Sequence, residues 1–160
     1  MATNPDPELK LTTSRGVTRT LDDWSTMFHL CLIVLPARSE AAAFVPIGMR
    51  LFDVFGDADC KFAFVVTGPE SVAHRLLGDA ERRVLTFVDP DLELVKSLGL
   101  ERLPAFVLLR QDTTLVTSTD GWNPKEWQRV ARETGRMLDW TVPEVSQPGD
   151  PAPFAGWPVA

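Results

Sequence analysis

Cysteine is scarce in this 160-residue chain: Cys31 and Cys60 stand in separate segments and do not form a CxxC pair. Such sparse use fits a reducing compartment, and a chain of this length can bury a sizeable core without disulfides or metal. Histidine is equally scarce, with two residues, so a zinc site is not expected, and the sequence calls for no cofactor. Basic charge is also in short supply. Sixteen Lys and Arg face 22 Asp and Glu, a net charge of −6, which argues against nucleic acid or an anionic membrane as the main partner. No segment approaches the ~18 apolar residues of a membrane span. Met1 to Thr20 carries no apolar run of the secretory kind, so the expected location is cytoplasmic. No internal repeat is visible.

What is present reads as one domain with tails. Residues 1–14 are polar, contain Pro5 and Pro7, and are expected to be a flexible N-terminal arm. Residues 15–140 form the domain, and residues 141–160, rich in proline, an extended tail. Thr20-Leu21-Asp22-Asp23 has the pattern of a capping box and predicts a short helix through Trp24 and Phe28. The continuous apolar runs 29–35 and 60–66 suit strands covered on both faces. Between them, Phe44, Ile47, Leu51, Val54 and Phe55 recur at helical spacing, with Pro46 placed to kink that helix if it is interior. A helix to about Leu77, a strand at 83–88 and a helix ending at Gly99 follow. The next unit is a hairpin opened by Pro104 and turned at Gln111–Thr114. Asn123 and Pro124 then start a last helix to about Leu138. Strand and helix alternate, which predicts an α/β fold: a central mixed sheet flanked by helices.

Two stretches carry a family resemblance. One is Val88-Asp89-Pro90-Asp91, followed by Leu98-Gly99; the other is Leu103-Pro104-Ala105-Phe106-Val107-Leu108. Together, across about Gly16 to Leu138, they resemble the thioredoxin-like superfamily, in its TlpA-like and peroxiredoxin-like branch. The resemblance implies a thioredoxin-like fold with a cis proline at Pro104, an inserted strand and helix within residues 67–88, and a glycine after the last strand at Gly121. With Pro46 as the family's helix proline, it places the redox CxxC at Arg38-Ser39-Glu40-Ala41, where neither cysteine position holds cysteine. The tryptophan expected just before falls on Ala37, and the buried acid of the preceding strand on Leu32. A peroxiredoxin frame begun at Pro36 needs threonine at Glu40 and cysteine at Ala43.

These substitutions point away from dithiol chemistry and toward a protein- or peptide-binding module. The resemblance implies a groove in which an extended peptide pairs with backbone beside the cis proline. Ala37, Arg38, Ser39, Glu40, Leu103, Pro104 and Trp122 would line it. Pro104 reads equally as a working groove or as a relic of one, and Trp122 as its rim or as a core cover. Phe154 and Trp157 suggest that the tail docks, either on its own domain or on a partner. An alternative is an atypical thiol oxidoreductase or peroxide-handling protein that uses Cys60; another is a structural subunit of a larger assembly. Cys31, inside an apolar run, reads as a small core hydrophobe. His29 and His74 read as boundary or surface residues, Asp89 and Asp91 as turn and cap chemistry, and Arg75 with Glu81-Arg82-Arg83 as a solvated charged face.

Overall fold

The computed structural model describes residues 1–159. Nine strands are present among them: β1 (Lys10–Thr13), β2 (Thr18–Thr20), β3 (His29–Leu35), β4 (Cys60–Val66), β5 (Leu85–Val88), β6 (Arg102–Leu103), β7 (Ala105–Leu109), β8 (Leu115–Asp120) and β9 (Trp157–Pro158). Six α-helices accompany them: α1 (Leu21–Trp24), α2 (Val45–Phe55), α3 (Glu70–Leu77), α4 (Ala80–Arg83), α5 (Glu93–Leu98) and α6 (Pro124–Leu138). Seven strands form one sheet in the order β2-β1-β5-β4-β3-β7-β8, and β6 and β9 form a separate two-stranded ladder. The centre, β3-β4-β5, is parallel, while β7 and β8 continue it antiparallel on one side and β1 on the other.

The period of 2 in a strand divides β3 between two cores. Cys31, Ile33 and Leu35 enter one cluster with Ile47, Leu51, Phe55, Phe106 and Trp127. Leu30, Leu32 and Val34 enter the other with Leu21, Trp24, Leu94 and Leu98. Both faces of the central strands are thus covered, which is why they read as unbroken apolar runs.

Local signals set several helix boundaries. The Thr20 hydroxyl accepts the Asp23 N–H at 3.1 Å, and α1 stops at Trp24, short of Phe28. The Asn123 side chain accepts from Lys125 and Glu126 N–H groups at the start of α6. The Asp89 carboxylate is buried and accepts the Leu94 and Val95 N–H groups; burial raises its pKa against those hydrogen bonds. The segment between β3 and Phe55 is not one kinked helix. Ser39–Phe44 is a 3₁₀ helix, and the α-helix begins at Val45 with Pro46 in its first turn, where a missing N–H costs nothing.

The expectation of a flexible arm at residues 1–14 is corrected. Lys10–Thr13 is a sheet strand between β2 and β5. Ahead of it, the Thr3 N–H bonds the Leu98 carbonyl at 2.8 Å and the Asp6 N–H bonds the Ser97 hydroxyl at 2.7 Å. The polar side chains conceal a backbone that pairs, and Leu11 is 1% exposed. The tail runs without a helix as expected, but it lies on the domain; its last residue, Ala160, is outside the described residues. No described helix is long and apolar enough to cross a membrane.

Candidate functional site

The parallel strands β3 and β4 end together, and the loops after them meet: a Cβ built on Gly68 would lie 2.8 Å from that of Ala37. Carboxyl ends of parallel strands are the usual place for a site in an open α/β sheet. From there Ala37, Arg38, Ser39 and Glu40 run into the 3₁₀ helix, all four exposed, with Ala41 buried beneath. Arg38 Nη2 and Glu40 Oε2 are 2.6 Å apart, and the Ser39 hydroxyl donates to Glu40 Oε1 at 2.8 Å. The Arg38 and Ser39 hydrogen bonds hold the Glu40 carboxyl down at about 2. A carboxylate so stabilised is a poor proton acceptor, so Ser39 has no activating base in Glu40. Arg38 also borders a hollow of about 400 Å³ lined by Ser39, Val72, Arg75 and Leu76.

Leu103 and Pro104 are both buried, and the peptide bond between them is cis. The backbone beside them is not open. The chain's own tail pairs antiparallel with it, Leu103 opposite Trp157 and Arg102 opposite Pro158, and the Val159 N–H reaches the Glu101 carbonyl at 3.1 Å. Farther back, Trp122 and Phe154 exchange backbone hydrogen bonds of 3.0 and 2.9 Å. The backbone beside Leu103-Pro104 is therefore already paired, by the chain's own tail.

Aromatic side chains extend this contact into the core. Phe44 meets Trp122 edge-on at 5.7 Å, Phe154 at 6.0 Å and Trp157 edge-on at 5.9 Å. Phe154 and Trp157 meet at 4.8 Å, and the Arg38 guanidinium lies over the Trp157 ring at 4.7 Å. Such stacked cation and edge-to-face contacts contribute about 0.5–1.5 kcal/mol each beyond the area they bury. Arg38 thus links the loop after β3 to the tail.

The structure decides between the two readings of Trp122. It is fully buried, packs on Trp127 at 5.2 Å, and donates its indole N–H to the Pro151 carbonyl at 2.8 Å. It covers the core and supports the groove from below; it is not an exposed rim. Phe154 and Trp157, considered for docking on a partner, are half-buried against their own domain.

Cys60 lies elsewhere. It pairs with His29 at the start of β3, at the opposite end of the seven-pair ladder from Leu35↔Val66, after which the loop carrying Arg38 follows. Its thiol donates to the Phe55 carbonyl at 3.3 Å. Burial, aided by the charge of Asp59, pushes its pKa up to about 11. Cys31 is fully buried, and burial raises its thiol well above the ordinary value. Both are free thiols, and Cys31 pairs with Phe62, not Cys60. His29 accepts from the Gln111 N–H, His74 contacts Glu81, and neither joins the groove. Among the described residues, no group of three His, Cys, Asp or Glu is placed to hold a metal ion.

Little in the local sequence announces the clamps that set the tail. Arg50 holds both the Val145 carbonyl and the Asp150 carboxylate, the latter at 3.0 Å from Nη1. The Gln128 amide donates to the Pro143 carbonyl at 2.9 Å and accepts the Val145 N–H at 3.0 Å. One sequence signal could have pointed to this path: a Pro-rich segment that still carries two aromatics around a glycine.

No protein-family model and no curated protein matches the chain. Solved structures do. The thioredoxin domain of a thiol-disulfide oxidoreductase from Bacteroides vulgatus superposes with a TM-score of 0.65 at 12% identity, over 86% of this chain and 99% of that one. A secreted disulfide oxidoreductase of Mycobacterium tuberculosis, homologous to E. coli DsbE, gives 0.61 at 15% identity over 81% and 96%. Peroxiredoxin Q of Xanthomonas campestris gives 0.63 at 14% identity over 81% and 91%. At these identities the likeness concerns architecture: the chain has a thioredoxin-like fold, similar to DsbE-like oxidoreductases and to a peroxiredoxin.

Proposed function

We propose that this thioredoxin-like chain is a binding module that performs no dithiol chemistry and takes an extended segment of a protein beside Leu103-Pro104. The observation that carries the reading is the antiparallel pairing of Arg102-Leu103 with an extended strand. The backbone there is able to recognise a peptide by strand addition. Arg38 and Phe44 supply side-chain selection over it. Arg38-Ser39-Glu40-Ala41 at the thiol positions supports the absence of redox turnover. A thiol enzyme working through Cys60 is disfavoured by a thiol held at about 11, far from the groove and bonded to a backbone carbonyl. A reducing, cytoplasmic setting belongs to the same proposal, because nothing in it requires either cysteine to be oxidised.

Two measurements on the full chain test this. Disulfide reduction and peroxide consumption are expected to equal those of Cys60→Ser; turnover that depends on Cys60 overturns the reading. A photoreactive residue at Ser39 is expected to crosslink a protein in extract of the native cell, with Arg38→Ala reducing the yield. The same probe at the remote Asp79 is the control, and equal labelling from both sites would reject the groove.

A further inference from the structure

The tail is held in two unlike ways. Up to Pro151 it is fastened by side chains of the domain: Gln128 on Pro143 and Val145, Arg50 on Val145 and Asp150, and Trp122 on Pro151. From Phe154 onward the fastening is backbone pairing, aromatic contact and one long hydrogen bond from Arg102 Nη1 to the Gly156 carbonyl at 3.4 Å. All of these involve the segment's backbone or aromatic rings and could be supplied equally well by another peptide of suitable sequence. Release of residues 154–159 would leave the first set of clamps intact.

The seated segment also shows what the groove requires at each position. Phe154 must be aromatic to meet Phe44. Ala155 is exposed and its side chain is unconstrained. Gly156 is buried with φ +96°, and a Cβ there would meet Gly121 Cα at 2.8 Å, the Leu103 carbonyl oxygen at 2.9 Å and Arg102 Cβ at 3.0 Å. Backbone atoms cannot yield as a flexible side chain would, so glycine is obligatory. Gly121 answers it from below: with φ +83°, its own Cβ would lie 2.4 Å from the Ala155 carbonyl oxygen. Trp157 presents a ring face to Arg38 and an edge to Phe44. Pro158 is exposed opposite Arg102, and Val159 packs on the second core through its partly buried side chain.

We propose that residues 154–159 are an exchangeable occupant, and that the partner displacing them is a protein segment of the pattern aromatic–any–Gly–aromatic–Pro–aliphatic. This rests on the binding reading above and names its ligand class and its regulation. The tethered tail competes at high effective concentration, so an outside segment binds only where it is abundant or presented with further contacts.

The test uses the full chain and a fluorescein-labelled peptide, Ala-Pro-Phe-Ala-Gly-Trp-Pro-Val, read by anisotropy. Binding to the native chain is expected to be weak. A chain carrying Gly156→Ala, which expels the tail without removing a core side chain, is expected to bind at least about tenfold more tightly. The same glycine substitution in the peptide, or Trp→Ala in it, should abolish binding. Thermal melting verifies that the variant is folded, and a Phe154→Ala/Trp157→Ala chain provides a second opened groove. If neither opened chain binds the peptide, the tail is a permanent cover and the proposal is overturned, even if Ser39 crosslinking still recovers a partner and the binding reading survives. Binding indifferent to the peptide's glycine and tryptophan overturns the pattern. A native chain that sediments as a dimer, dissociated by Gly156→Ala, makes the occupant a second copy's tail and likewise overturns it.

Discussion

The two ends of β3 and β4 treat acidic groups in opposite ways. At the carboxyl ends, Glu40 is exposed, carries hydrogen bonds from Arg38 and Ser39, and is held at about 2. At the amino ends, Cys60 is half-buried beside Asp59, and burial with that like charge pushes it up to about 11. An anion is favoured where a cation and a hydroxyl donate to it, and disfavoured where water is removed and a like charge stands near. The environment suited to a thiolate therefore contains no cysteine, and the cysteine sits where a thiolate is disfavoured. The carboxyl end carries aromatic and charged contacts with the tail instead.

The largest effect should come from removing the support beneath those contacts. Trp122→Ala is expected to cost about 3–5 kcal/mol in urea denaturation, because a fully buried indole and its contacts with Phe44 and Trp127 are lost. A loss under ~1 kcal/mol would mean that the tail and groove are energetically separate from the core. The thiol contrast comes next. A thiol pushed up to about 11 leaves the Cys60 thiolate about a hundredfold rarer at neutral pH than at an ordinary cysteine, with iodoacetamide labelling slowed to match and recovering as pH approaches 11. In Cys60→Ser/Glu40→Cys, the new thiol beside Arg38 should label faster than Cys60 does in the native chain; equal rates would erase the distinction between the two ends.

Trp157→Ala should cost less than Trp122→Ala, about 1–2 kcal/mol, since that ring is only half-buried. Protease cleavage between Pro153 and Pro158 should accelerate while the core stays protected. The smallest change concerns pH. A depressed Glu40 pKa means that its pairing with Arg38 is fully present above the ordinary carboxyl range and is lost as pH falls through about 2. Carboxyl NMR titration should find that midpoint, and Arg38→Ala should move it upward. A midpoint unmoved by Arg38→Ala would show that the pair does not set the electrostatics of this end.

Much of the architecture was legible because it is local. The apolar runs at 29–35 and 60–66 and the Thr20 and Asn123 caps are written within a few residues of one another. The loop 37–40 and Leu103-Pro104 were site candidates only through the family resemblance, which aligned them with positions in other chains. Residues 10–13 escaped because Lys10, Thr12 and Thr13 look like a polar arm, and only pairing with β2 and β5 makes them a strand. Trp122 was ambiguous because an aromatic after a turn suits a rim and a core equally, and the surrounding side chains come from distant segments.

The sequence by itself determined the alternation of strands and helices, the absence of cysteine from residues 38–41, and the presence of two aromatics around a glycine in the tail. Periodicity, capping and residue identity need no knowledge of distant contacts. Tertiary structure alone decided where the tail goes, that Trp122 lies beneath it, and that Cys60 sits half-buried at the far end of β4. Arg102 and Gly156, 54 residues apart, meet only once the sheet has formed. Contacts over such separations depend on the folded surface, and no local pattern encodes them.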